Sequence, residues 1–69
     1  MASGDSKIKM FVNNPELWGS FVEEVDIRIA FCHKQLEQMD DPTAIHRLQG
    51  EIRALRSMRM LRDKVNGGN

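Results

Sequence analysis

Between Trp18 and Met39 the apolar residues fall at Trp18, Val22, Val25, Ile29, Cys32, Leu36 and Met39. Steps of four and three alternate without a break. That is the heptad seam of packed helices, because 3.6 residues per turn returns such positions to one stripe. The start of this helix is also written in the sequence. In Asn14-Pro15-Glu16 the asparagine suits a cap, the proline is preset for the first helical position, and the acid favours the positive end of the helix dipole. Gly19 and Ser20 weaken the first turns slightly. A helix from residue 15 to about residue 39 is expected.

Asp40-Asp41-Pro42 repeats the start signal, with Asp41 as cap. The residue before a proline is pushed out of helical geometry, so the first helix must stop near Asp40. The second helix is expected from residue 42 to about 65. Its apolar positions are Ile45, Leu48, Ile52, Leu55, Met58, Leu61 and Val65. The heptad holds to Leu55 and then slips, since strict continuation would place Arg59 and Arg62 in the seam; a stammer-like local overwinding is expected there. Arg62, Lys64 and Gly67 suit the helix end, Gly67 as a left-handed cap.

So short a link forces antiparallel neighbours. Folding at Asp40–Asp41 brings Leu36 to Ile45, Cys32 to Leu48, Ile29 to Ile52, Val25 to Leu55, Val22 to Met58 and Trp18 to Leu61. Every seam residue meets an apolar one. Charge agrees with this pairing. The first helix holds five acids against Arg28 and Lys34, and the second holds six bases against Glu51 and Asp63. Exposed pairs contribute only about 0–1 kcal/mol each, so charge selects the arrangement more than it stabilises it. The fold class expected is all-α: a two-helix antiparallel hairpin that oligomerises into a helical bundle. Residues 1–13 read as a flexible N-terminal arm, residues 14–66 as the hairpin, and residues 67–69 as a frayed end. Within the arm, Ile8, Met10, Phe11 and Val12 are apolar enough either to cover an end of the bundle or to enter a neighbouring chain.

A chain of 69 residues amounts to one small domain, and such a domain buries only about 60% of its unfolded surface. Domains this small usually need a staple. Cys32 is the single cysteine, so no internal disulfide forms, and no Cys or His pair has the spacing of a structural zinc site. Association with another chain is the remaining staple. Ten basic and ten acidic residues cancel, leaving no overall field for nucleic acid or an anionic membrane. The absence of a long apolar run and of a signal-peptide pattern reads as a cytoplasmic protein without membrane attachment.

Candidate chemistry is sparse. Cys32, His33 and His46 lie near the hairpin tip with Asp40 and Asp41 and would have to converge to hold a metal. Cys32 belongs to the seam, however, and small buried cysteines are ordinary core. Glu23–Glu24 and Asp40–Asp41 are acid pairs, but two helices offer no cleft to desolvate them. They read as a solvated face and a helix cap. No catalytic residue, cofactor or metal ligand is assigned, and an enzyme is not expected.

Two helices cannot cover Trp18, Phe21, Ile27 and Phe31 together. Gly50, Ala54 and Ser57 form a small-residue stripe away from the seam, where a further helix can approach closely. Phe21, Ile27, Phe31, Gly50 and Ala54 are therefore the candidate self-association residues of a homo-oligomer, most simply a four-helix dimer. A second reading concerns Arg53, Arg56, Arg59 and Arg62. These recur every three residues and so spiral around the helix, yet several could line a phosphate backbone in a dimer. No aromatic is interleaved with them to stack bases. Salt links within or between hairpins are the commoner use of such residues.

The stretches Asn14-Pro15-Glu16-Leu17-Trp18 and Arg47-Leu48-Gln49-Gly50-Glu51-Ile52-Arg53-Ala54-Leu55 resemble small, mostly uncharacterised proteins of tailed bacteriophages, over residues 11–66. The resemblance implies a viral accessory or virion-assembly protein, acting in the bacterial cytoplasm or in the particle, and it carries over no catalytic residue. The function expected is a structural or protein-interaction module, with a small nucleic-acid-binding hairpin as the alternative.

Overall fold

The computed structural model describes residues 3–67, all-helical apart from short links. Among them are four helices: α1 (Ser3–Val12), α2 (Pro15–Glu37), α3 (Pro42–Arg59) and α4 (Leu61–Val65). Met1, Ala2, Gly68 and Asn69, which belong to the expected arm and frayed end, lie outside the described residues.

Both proline-marked starts are built as capped helix N-termini. The Asn14 side chain accepts a hydrogen bond from the Leu17 N–H at 3.0 Å, and Asp41 Oδ2 accepts from the Ala44 N–H at 3.3 Å. Each cap satisfies one of the donors that a helix N-terminus leaves without an internal partner. At its other end α2 stops at Glu37, two residues before the expected end. The N–H groups of Gln38 and Met39 reach back only three residues, to Gln35 and Leu36 at 3.0 and 3.3 Å. Beyond that tightened turn Asp41 takes extended geometry before Pro42.

Two elements differ from the expected pair of helices. Ser3–Val12, read from the sequence as part of an arm, forms α1. The expected second helix is divided at Met60, whose N–H bonds to Ser57 O at 3.0 Å, a three-residue step. The division lies where the apolar pattern slips. Keeping the seam in register past Leu55 would bury arginine, and the chain instead resets its phase, which turns Leu61 and Val65 inward. Gly67, at φ +77°, ends α4 in the left-handed conformation that favours glycine.

Helix α3 packs back along α2. Cys32, Leu48 and Ile52 are buried together, with Ile29, Leu36, Met39 and Leu55 packed against them. Helix α1 lies against α4 and the start of α2. Val12 is fully enclosed, and Phe11 meets Trp18 and Phe21 edge-on at ring separations of 5.9 and 5.4 Å. The Asn13 and Asn66 side chains exchange two hydrogen bonds, 3.1 and 2.9 Å, tying the α1–α2 corner to the end of α4.

The result is a rod of 46 × 23 × 19 Å with a radius of gyration of 14.9 Å, against roughly 11 Å for a compact domain of this length. A rod has little interior. Val12, Trp18, Val25, Cys32, Leu48 and Ile52 are the buried hydrophobic residues among those described.

Candidate functional site

Residues on an α-helix advance by about 100° each, which sorts the surface of the α2–α3 pair into two sides. On α2 the buried Trp18, Val25 and Cys32 mark the seam. Leu17, Glu24, Arg28 and Phe31 lie together roughly a quarter-turn or more to one side of it, with Ile27 just beyond. On α3 the residues Glu51, Ala54 and Met58 occupy the corresponding side. The two faces are joined there: Arg28 Nε donates to Glu51 Oε2 at 3.2 Å. The Arg28 guanidinium also stands 5.8 Å from the Phe31 ring centre, within cation–π range.

This side carries large apolar residues that are half or nearly half exposed, among the charged Glu24, Arg28 and Glu51. Ile27 is 58% exposed, Leu17 54%, Phe31 50% and Met58 45%. Glu24, Ile27, Arg28 and Phe31 line a shallow hollow of about 260 Å³. Of the five residues expected at a self-association surface, Ile27, Phe31, Gly50 and Ala54 are exposed. A Cβ added at Gly50 would meet nothing within 4 Å, so within this chain no neighbour requires glycine there. Phe21 is the exception. It is half-buried, because Phe11 and Trp18 pack on it at 5.4 Å each. Two helices alone do not cover these aromatics; α1, through Phe11, supplies cover for Trp18 and part of that for Phe21.

The opposite side is polar. Arg59 Nε approaches Asp26 Oδ1 at 3.0 Å, linking α3 to α2. His33, Leu36, Gln49, Ile52, Arg53 and Arg56 line an open groove of about 430 Å³. The four arginines of the spiral are thus separated in use: Arg53 and Arg56 share the groove, Arg59 is engaged by Asp26, and Arg62 belongs to α4. All four are exposed.

Matching finds no family model, no curated protein and no solved structure similar to this chain.

Of the hairpin-seam residues, Ile29, Cys32, Leu36, Leu48, Ile52 and Leu55 pack together where the two long helices meet, whereas Trp18 is covered from α1 and not, as expected, by Leu61. Cys32, Leu48, Ile52, Val25 and Trp18 are buried, and Val22, Ile29, Leu36, Ile45 and Leu55 are partly so. Cys32 is 1% exposed. Burial pushes its thiol pKa up, and the neighbouring Glu51 carboxylate raises it further against a smaller opposing effect of Arg28. A thiol held protonated is a poorer nucleophile and metal ligand than a thiolate. His33 and His46 are exposed, and among the described residues no group of three or more His, Cys, Asp or Glu is placed to hold a metal. Among the same residues no helix is long and apolar enough to cross a membrane.

Phe11 and Val12, expected in an arm that covers a bundle end or enters a neighbouring chain, pack in the α1 corner; Met58, expected in the seam opposite Val22, is instead a surface residue, as is Leu17, which the seam pattern did not include. A signal for α1 was present: Ile8, Phe11 and Val12 have the i, i+3, i+4 spacing of a helix face, although only across one and a half turns.

Proposed function

We propose that this protein is a non-catalytic structural or interaction module, an antiparallel hairpin of α2 and α3 that self-associates into a coiled-coil-like helical bundle. One observation carries the reading: Ile27 and Phe31, two large apolar side chains four residues apart, are half or more exposed on the same side as Leu17 and Met58. A contiguous exposed apolar face on a soluble helix marks an interaction site. The small buried core of the rod supports it, since a chain of this size gains stability most directly by covering such a face with another chain. The resemblance to small phage proteins supports a viral accessory or virion-assembly role in the bacterial cytoplasm or the particle.

The test is a solution mass. Sedimentation should give a multiple of 7.9 kDa at micromolar concentration. Phe31→Asp should return the chain to a monomer with its helix content largely retained, because it places a charge in a desolvated contact. A wild-type monomer, or a Phe31→Asp variant of unchanged mass, would refute the reading.

The groove beside Arg53 and Arg56 favours a second reading, a small nucleic-acid-binding hairpin. Its mark would be retardation of nucleic acid at low salt that disappears at moderate salt, as counterion release requires.

A further inference from the structure

Along the apolar side of α2 runs a second series at four-three spacing: Leu17, Phe21, Glu24, Arg28, Phe31 and Gln35. It lies roughly a quarter-turn from the buried seam. Taken about position 26, the chemistry of its four inner members is self-complementary, while Leu17 and Gln35 are the outermost pair. Glu24 and Arg28 are opposite charges equidistant from the centre, and Phe21 and Phe31 are aromatic rings equidistant from it. A two-fold interface joins the same patch on both copies, so a patch that mates with itself must have this property.

The geometry points to a two-fold dimer in which the α2 helices of two copies lie antiparallel, with Glu24 facing Arg28 of the second copy and Phe21 facing Phe31 of the second copy. This register rests on the self-association proposed above. Three observations bear on it. Arg28 is already oriented on this side by Glu51 and by the Phe31 ring. Glu24 lines the same hollow as Ile27 and Phe31, exposed, with no ion pair to it among the described residues. Phe21 is the half-buried edge of the Phe11–Trp18–Phe21 cluster, so Phe31 of a second copy would extend an edge-on and tilted aromatic cluster that exists already. The occupant is a second copy of the chain because both halves of each contact come from one series.

Charge exchange tests the register by sedimentation equilibrium on the full chain. Glu24→Arg sets like charges against Arg28 twice per dimer and should raise the dimer Kd at least about tenfold. Arg28→Glu alone should do the same. An equal mixture of the two variants should recover near wild-type affinity, since a mixed dimer restores both charge pairs. Arg28→Glu also loses the Glu51 contact, so its helix content is checked by circular dichroism, and the exposed Glu24 carries the decision. A wild-type oligomer indifferent to Glu24→Arg, or one whose variants fail to rescue each other, would overturn the register and leave self-association standing. A wild-type monomer would overturn both.

Discussion

Cys32 is enclosed between α2 and α3, one residue from Phe31, which faces solvent, and the contrast follows from the 100° step between neighbours on a helix. Its chemistry follows from that enclosure. A disulfide-exchange reagent should modify Cys32 slowly in the native protein and at once in denaturant, and native labelling as fast as denatured labelling would contradict its burial. The raised pKa also fixes a sign. Below the ordinary thiol range, about pH 8.5, both folded and unfolded chains hold the proton and Cys32 contributes no pH dependence. As pH rises through that range the unfolded chain ionises first, so stability falls. Denaturant midpoints measured in Cys32→Ala should lack that component of the alkaline decline.

At the scale of elements, the caps are the places where sequence and structure correspond most closely. Asn14 and Asp41 each accept, through a side-chain oxygen, a hydrogen bond from the backbone N–H three residues on. Asn14→Ala and Asp41→Ala should each cost about 1 kcal/mol of unfolding free energy. They stand at the two ends of α2, so their effects should add in the double variant, as urea denaturation would read. The packing of α2 on α3 was legible for a related reason: a seam with unbroken spacing between two fixed starts leaves little choice of register. The division at Met60 was legible only as a slip in phase, because a stammer and a chain break produce the same apolar pattern. Helix α1 was not legible. Ten residues with a small polar beginning fall below the length at which periodicity outweighs composition, and α1 owes its order to docking on Trp18 and α4. That omission propagated to the candidate surface, where Phe21 was counted with Ile27 and Phe31 although Phe11 partly covers it.

For the whole molecule, the rod is an assembly of a long pair and a short pair. The long pair meets through the Cys32–Leu48–Ile52 cluster, and α1 of the short pair sets Phe11 against Trp18. Removing that phenyl ring should therefore be seen by the single tryptophan. Phe11→Ala should shift Trp18 emission to the red and increase its quenching by acrylamide, with helix content little changed. An unaltered spectrum would mean that Trp18 is protected by α2–α3 packing alone.

The reciprocal amide pair of Asn13 and Asn66 has a kinetic meaning. It joins residues 53 apart in sequence, whereas Arg28 and Glu51 are 23 apart. Closing the longer loop costs about 0.7 kcal/mol more chain entropy, and it secures a shorter helix at an exposed contact. The α1–α4 corner is thus the last part of the rod to close and the first to open, so amide protons there should exchange ahead of those in the α2–α3 pair. Each opening would transiently uncover Trp18 while leaving the long pair intact.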